Sequence, residues 1–537
     1  MAVIEPNSEI YLIKSPIELD NDNQLNFSSA TAQHNYFNGL TKRTLTNATF
    51  QRKDGYIRWP ESMEDILDYN YCMYRNKNHG NKWFYAFITK MEYASNDSTN
   101  VYIKTDVWQT WQFDITFRRC FVDREHVNDD TFGKHTVPEG LETGDFVCNG
   151  QPNKYIYAKA NDAELAPVVL FQVTKTNLSN EGNTYSFPSA TLNVFNGIPQ
   201  GCACFGIRLN AANTGRIHSI CGIYDAFGAG DAIVSISLVP YSIVGWTSQN
   251  DSAGNPVLVP DDSWSATANI IPEITRNTTI DGYSPKNNKL FIGDYNYLYL
   301  SNNAGGDIVY KWEDFDGGNI DLAVASALEQ GGSVKVYPQN SLKSSSSIGD
   351  GWTEGLVGAK LPAISWTSDY YLNWQAVNGS NIEVQTGIQA VKFGISAIAQ
   401  NGAMNILDFA SDVANTMQKV KEAQMTPPQA KGNVASGDIT FSQKESGFTW
   451  RKMSIRAEYA RMIDDYFTMF GYKTNRLKVP NINGRANWNY VKTKGCNIIG
   501  DIPQDDMQEI KTMFNRGVTI WHNANTFLDY SQSNAIV

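Results

Sequence analysis

Hydrophobic and polar positions alternate in short runs along most of this chain, and in one late stretch the alternation gives way to a three-and-four spacing. Strand side chains alternate between faces whereas helix side chains recur every 3.6 residues, so the two periods separate the elements. Residues 9–19 (EIYLIKSPIEL) alternate and break at Pro16. The next run starts extended at Ile57-Arg58-Trp59. Pro60, the acidic Glu61, Glu64 and Asp65, and the apolar Ile66, Leu67 and Tyr71 then suit a helix start or a turn. Residues 82–111 predict a β-hairpin turning within 94–99, and Trp108, Trp111 and Phe113 are expected to anchor a core behind it.

From about 151 to 355 the short strands YIYAK, VVLFQVTK, CFGIRL, AIVSISLVPYSIV and KLFIGDYNYLYL are separated by Asn/Gly/Ser-rich links. This predicts a separate β-rich domain, and SLKSSSSIGDG (341–351) reads as a flexible loop or linker. Further on, Ile455, Tyr459, Met462, Ile463, Tyr466, Phe467 and Phe470 form a helical stripe with Gly471 as its stop. GRANWNYVKTKGCNIIG predicts a strand, and DDMQEIKTMFNRGVTIWH a last short helix and strand, with Asp501 and Pro503 near the helix start.

Val384–Asn433 is unlike the rest, because aromatics nearly vanish and Ala, Ile, Met and Gly take over. Ile388, Val391, Ile395 and Ile398 make one helix-period stripe, and Ile406, Phe409, Val413, Met417 and Val420 a second. Gln400-Asn401-Gly402 can turn between them, and Pro427-Pro428 ends the pair. One reading is a helical hairpin packed on the core. The other is an apolar loop whose small residues (Gly387, Gly394, Ala397, Ala399, Ala403) let copies approach closely.

The chain has 537 residues, too many for one ordinary domain. With 42% hydrophobic and 18% charged residues it is globular, and 12% aromatics together with abundant Asn, Ser, Thr and Gly point to a mainly β, α+β protein. The net charge of −11 argues against a duplex-DNA binder, although a mildly acidic wall suits DNA that must slide past without sticking. Seven irregularly spaced cysteines make no disulfide framework, and Cys202-Ala203-Cys204 lacks zinc-knuckle or redox spacing. Neither a secretory signal nor an eighteen-residue apolar run is visible, so synthesis in a cytoplasm without export is expected.

No HExxH, GxSxG, Walker loop or zinc set is present, so neither a catalytic residue nor a cofactor or metal is expected. The six histidines (His34, His79, His126, His135, His218, His522) are scattered and read as surface or packing residues. Asp123-Arg124-Glu125-His126 reads as an ion-pair network before an acid/base site. Residues 313–319 (EDFDGGN) resemble part of a calcium loop but lack its terminal Glu, so a turn is the better reading. Trp264, Tyr295, Tyr297 and Tyr299 are candidates for a sugar platform, with cross-strand or core packing as the simpler account.

Three segments carry a family resemblance: 57–127 (IRWPES through DVWQTW to FVDREHV), 361–376 (LPAISWTSDYYLNWQA) and 462–522 (DYFTMFGYKTNRLKVPN through NWNYVKT to GVTIWH). Together they resemble the tail knob, or distal tail tube, proteins of small short-tailed phages with protein-primed genomes that infect Gram-positive bacteria. The resemblance implies a homo-hexameric virion protein at the distal end of the tail, contacting other tail proteins (collar or tube and tip lysin). It also implies a β-rich tube domain of the phage tail-tube and hub kind, in pieces 1–150, 356–383 and 434–537, with a knob domain inserted at 151–355. In such proteins an apolar loop plugs the tube, and on release it helps open the host membrane for passing DNA. Val384–Asn433 occupies the matching place. It is short and carries Lys392, Asp408, Asp412 and Lys419, so several copies would line a pore with polar faces inward. A receptor- or wall-glycan-binding tail protein is the alternative, and a wall-degrading hydrolase with paired carboxylates a more distant one.

Overall fold

The computed structural model describes residues 7–48, 56–77, 80–159, 162–191, 203–208, 214–242, 244–261, 269–303, 305–326, 334–343, 355–358, 363–365 and 445–537. The chain divides into two compact units: Met1–Asp145 with Gly282–Asp294 and Arg456–Val537, and Phe146–Asp281 with Tyr295–Ile455.

In the first unit the alternating N-terminal runs become β1 (Ser8–Ile13), β2 (Asn23–Leu25), β3 (Lys42–Ala48), β4 (Tyr56–Trp59), β5 (Tyr71–Asn76), β6 (Trp83–Ser95) and β7 (Ser98–Thr105), with helix α1 (Ala30–Gly39) between β2 and β3. The long β6–β7 hairpin turns at 96–97, inside the expected span. Six of these strands form one sheet in the order β3-β1-β5-β6-β7-β4. Its two edges come together, because Arg43 on β3 and Glu61 just beyond β4 pair at 3.8 Å. The inward set Ile10, Leu12, Ile57, Trp59, Cys72, Tyr74, Ala86 and Val101 shares one core, capped by Ile66 of the short helix α2 (Met63–Ile66). The outward set Ile13, Tyr71, Met73, Tyr85 and Phe87 packs with Trp488 and Trp521 in a second core. A period of two thus fills both faces of the same strands.

Those tryptophans belong to a second sheet. After α3 (Val107–Trp111), β8 (Ile115–Phe117) and β9 (Cys120–Glu125), the unit resumes with α4 (Ala457–Phe470), β10 (Tyr472–Lys478), β11 (Trp488–Lys494), β12 (Ile498–Gly500), α5 (Gln504–Arg516) and β13 (Val518–Trp521). The sheet order is β2-β13-β11-β9-β10, with β2–β13 parallel and the other pairs antiparallel. Trp108 and Trp111 pack with Ile510, Phe514 and Ile520, so the core-anchor expectation holds for both. Phe113 does not join them and is 42% exposed, because the chain turns outward after α3. Helix α4 buries Ala460, Ile463, Asp464 and Phe467 and stops where expected, at Gly471 with φ +64°. A side chain at Gly471 would also strike the Glu125 carbonyl, so only glycine fits. Met462 departs from the predicted stripe and is 59% exposed, and Ile455 ends a strand before the helix starts.

The second unit contains a sheet ordered 246–250, 256–260, 203–208, 168–173, 233–239, 363–365. Helix Thr214–Ala226 supplies Ile220, Cys221 and Tyr224 to the core on one of its faces. Phe205 stacks on Phe171 and Phe187 with centroids 5.4 and 4.7 Å apart, and Phe187 stacks on Tyr224 at 5.5 Å. A second sheet pairs Glu445–Ile455 with Phe146–Cys148, Asn153–Lys159 and Asn296–Ser301. A third joins 269–274, 320–326, 334–338 and 356–357. The units divide the chain differently from the expected tube pieces 356–383 and 434–537, since 356–357, 363–365 and 445–455 all pair within the second unit. The expected strand KLFIGDYNYLYL is split, with a 3-10 turn at Asn288–Phe291 in the first unit and a strand only from Asn296.

Candidate functional site

Of the segments that carry the family resemblance, 120–127 and 462–494 meet on β9, β10, β11 and α4 of the first unit. Arg124 donates to the Gly471 carbonyl at 2.7 Å and pairs with Glu139. Glu125 pairs with Lys478 at 2.5 Å and accepts the Asn481 amide at 3.0 Å. His126 accepts the Tyr490 amide on Nδ1 at 2.7 Å and donates from Nε2 to the Thr468 carbonyl at 3.0 Å, which fixes its neutral tautomer. Burial, with Arg485 nearby, pushes its pKa down to about 3. Trp488 also donates to the Thr468 carbonyl, at 2.9 Å. The cluster Asp123–His126 is therefore an ion-pair and hydrogen-bond network that fastens β9 to its neighbours, as its composition suggests.

The chain leaves this unit after Asp145, revisits it over Gly282–Asp294 and leaves again until Arg456. Three carboxylates hold the revisiting segment. Asp464 accepts from the Tyr283 hydroxyl at 2.7 Å, the Lys286 amide at 2.8 Å, and the Asn287 amide and Nδ2 at 3.1 and 2.8 Å. Asp130 accepts the Asn288 amide at 3.0 Å and the Tyr472 hydroxyl at 2.6 Å, with burial raising its pKa. Glu139 pairs with the buried Lys289 and accepts the Lys473 amide at 2.9 Å. Burial pulls the Lys289 pKa down while Glu139 pulls it back up. Each carboxylate is engaged by several donors, so the arrangement holds chain in place and offers no free base or nucleophile. Beside it a cleft of about 360 Å³ is lined by Glu125, Asp129, Lys134, His135, Lys473 and Arg476 among others.

The sequence reading did not single out Asp130, Glu139, Lys289 or Asp464. The available signal was Asp464 itself, a carboxylate inside an apolar stripe, one residue after Ile463 and three before Phe467. The other candidates fall into structural roles. His522 is half-buried, bonds Asn489 at 3.0 Å and has its pKa lowered to about 4 by that burial, and His34 packs near Trp83 in a tilted ring pair. Residues 312–318 form two 3-10 turns with Asp314 paired to Lys343, and no group of metal-ligating side chains occurs among the described residues. Tyr295 is buried and Tyr297 packs on Phe146 across the sheet at 5.1 Å, as the packing reading expects. The residues expected to form a plug, Ile388, Val391, Ile395, Ile398, Ile406, Phe409, Val413, Met417 and Val420, lie outside the described residues, as do Trp264, His79 and Cys202. Among the described residues no helix is long and apolar enough to cross a membrane.

Known proteins resemble this chain over most of its length. The family of the C-terminal domain of the Bacillus phage phi29 tail knob protein gp9 matches residues 262–535, a little over half of the chain. The caudoviral major tail protein N-terminus matches residues 6–116. The tail knob proteins gp9 of Bacillus phages B103, PZA and phi29 are 25%, 27% and 28% identical, over 95%, 94% and 95% of this chain and 95% of each of theirs. The bacteriophage C1 tail knob protein gp12 superposes with a TM-score of 0.63 over 99% of this chain and 100% of its own; at 14% identity, that likeness is one of fold.

Proposed function

The chain belongs to the tail knob protein family represented by gp9 of phage phi29, and from this premise we propose that it builds the distal tube of the tail as a ring of six copies and conducts the genome. As a tail knob protein it is a structural virion component that works among other tail proteins, and not an enzyme. The first unit is the tube domain and the second the knob. The observation that carries this assignment is that the match to a major tail protein N-terminus, 6–116, falls on the curled six-stranded sheet and α3. The chain's formal charge of −11 suits a lumen wall that does not retain DNA. Val384–Asn433 plugs this tube and, once released, inserts its two apolar stripes into the host membrane, with copies sharing the polar positions between them.

Imaging of the purified protein tests the ring, and dye release from liposomes tests the loop. Six-fold rings, with leakage that disappears when 386–432 is excised, are the expected results. Monomers at every concentration would refute the ring, and liposomes that stay sealed at every pH would refute the membrane role.

A further inference from the structure

We infer that neighbouring copies meet through the outer face of β9–β10–β11 on one copy and the acidic turn around α2 on the next, an assignment that rests on the proposed ring. The cross-strand register places Phe121 beside Leu477 on one side and Lys494 on the other. Leu477 is 71% exposed and Phe121 36%. The register ends at Lys478 with Cys120, and the next residue beyond each strand, Val479 and Arg119, is exposed. An apolar row flanked by cations therefore stands open on the outermost strands of a sheet, in a chain whose formal charge is −11. Asp123, 3.7 Å from Lys494, is the acid that shares this face. Among the described residues Arg119 has no ion-pair partner.

The complementary surface is on the same unit. Ile66 is fully buried in the six-stranded core and fixes α2 in place. Around it Glu64, Asp65, Leu67 and Asp68 face solvent, with Leu67 60% exposed. Among the described residues Glu64 has no partner, while Asp68 is held by Lys14 at 3.0 Å. An apolar residue ringed by carboxylates on a rigid turn matches an apolar row ringed by cations, in charge and in kind. Because the two surfaces differ, the contact is head-to-tail, and such contacts close into rings when the rotation permits. A second copy is the occupant that satisfies both surfaces at once. Ile499 with Asp501 and Asp505 is another exposed acidic patch, with fewer acids around a less exposed apolar residue, and it serves as the control.

The test uses the full chain and sedimentation velocity over a concentration series, with circular dichroism to confirm folding. Arg119→Glu and Glu64→Lys each put like charges face to face at every contact and should raise the half-assembly concentration roughly tenfold or more. The chain carrying both substitutions restores opposite charges at every contact and should assemble within about threefold of the wild type. Leu477→Asp, on a side chain open to solvent, should fold and fail to assemble. Single reversals that assemble like the wild type, a double variant no better than the singles, or equal damage from Asp501→Lys with Asp505→Lys would overturn the assignment while leaving the ring intact. A wild-type chain that never associates would overturn the ring and this contact with it.

Discussion

The two units weight their buried contacts differently, although the second also buries an ion pair, Asp251 with Arg216. The second centres on stacked rings, Phe171, Phe187, Phe205 and Tyr224, between a helix and a sheet. The first buries charge beside its apolar cores: Glu139 with Lys289 and Arg124, Asp464 under the revisiting segment, His126 between β9, β11 and α4. Apolar burial is non-directional, and its strength follows area. Hydrogen-bonded carboxylates fix geometry as well. The first unit must gather three separated lengths of chain, one of them only Gly282–Asp294, and its carboxylates act at the joins. Both units are discontinuous, but only the first is revisited by so short a length of chain, and a short segment needs contacts that select it, beyond contacts that keep water out.

The sharpest way to break the comparison is Glu139→Ala, which leaves Lys289 and Arg124 buried without their carboxylate. A loss of about 3 to 5 kcal/mol is expected, confined to the first unit, and denaturant unfolding followed by hydrogen exchange would measure it. Phe205→Ala removes the middle of the stack in the second unit. It should cost about 3 kcal/mol there, with protection of β9 and α4 unchanged.

Acid separates the units next. His126 and His522 have folded pKa values lowered to about 3 and about 4, against 6.5 when free, so the unfolded chain takes up protons first as pH falls through 6.5. Stability is therefore lost on acidification, about 2 kcal/mol for each histidine between pH 7 and pH 5. Asp106 works in the opposite sense. Its pKa is raised to about 6 by burial, so its protonated form favours the fold and returns about 1 kcal/mol over the same range. A net loss of about 3 kcal/mol should appear in the first unit's unfolding transition. The ring stack of the second unit holds no group that titrates between pH 5 and pH 7. The smallest expected effect sharpens the baseline: Ser29→Ala removes the side chain that caps the Ala32 amide at 3.1 Å, and should cost about 1 kcal/mol by the same unfolding assay.

Local features of the fold were legible and non-local ones were not. The β6–β7 hairpin and the stop at Gly471 follow from period and glycine, both properties of a few adjacent residues. The network at Asp123–His126 could be read from composition, because four adjacent residues of mixed charge are most cheaply settled by pairing. The apolar stripe in the sequence is wider than the face that α4 buries. Met462 is apolar and correctly spaced, yet the buried face is centred on Ala460, Ile463 and Phe467 and includes Asp464, which a hydrophobicity pattern scores as outward. Gly282–Asp294 gave no local sign of joining the first unit, since its bonds run to Asp130, Glu139 and Asp464, 150 to 178 residues away in sequence. The contact surface at Leu477 was hidden for the same reason, because only the register puts Phe121 beside it.

The first unit gathers its three segments through buried carboxylates and is expected to fold without 384–433. Excision of 386–432 followed by hydrogen exchange of β9, α4 and the revisiting segment tests it most directly. Protection equal to that of the full chain, with assembly retained, is the predicted result. Loss of protection at Asp464 and Asn287, or aggregation of the shortened chain, would contradict it and make the apolar stretch part of the core.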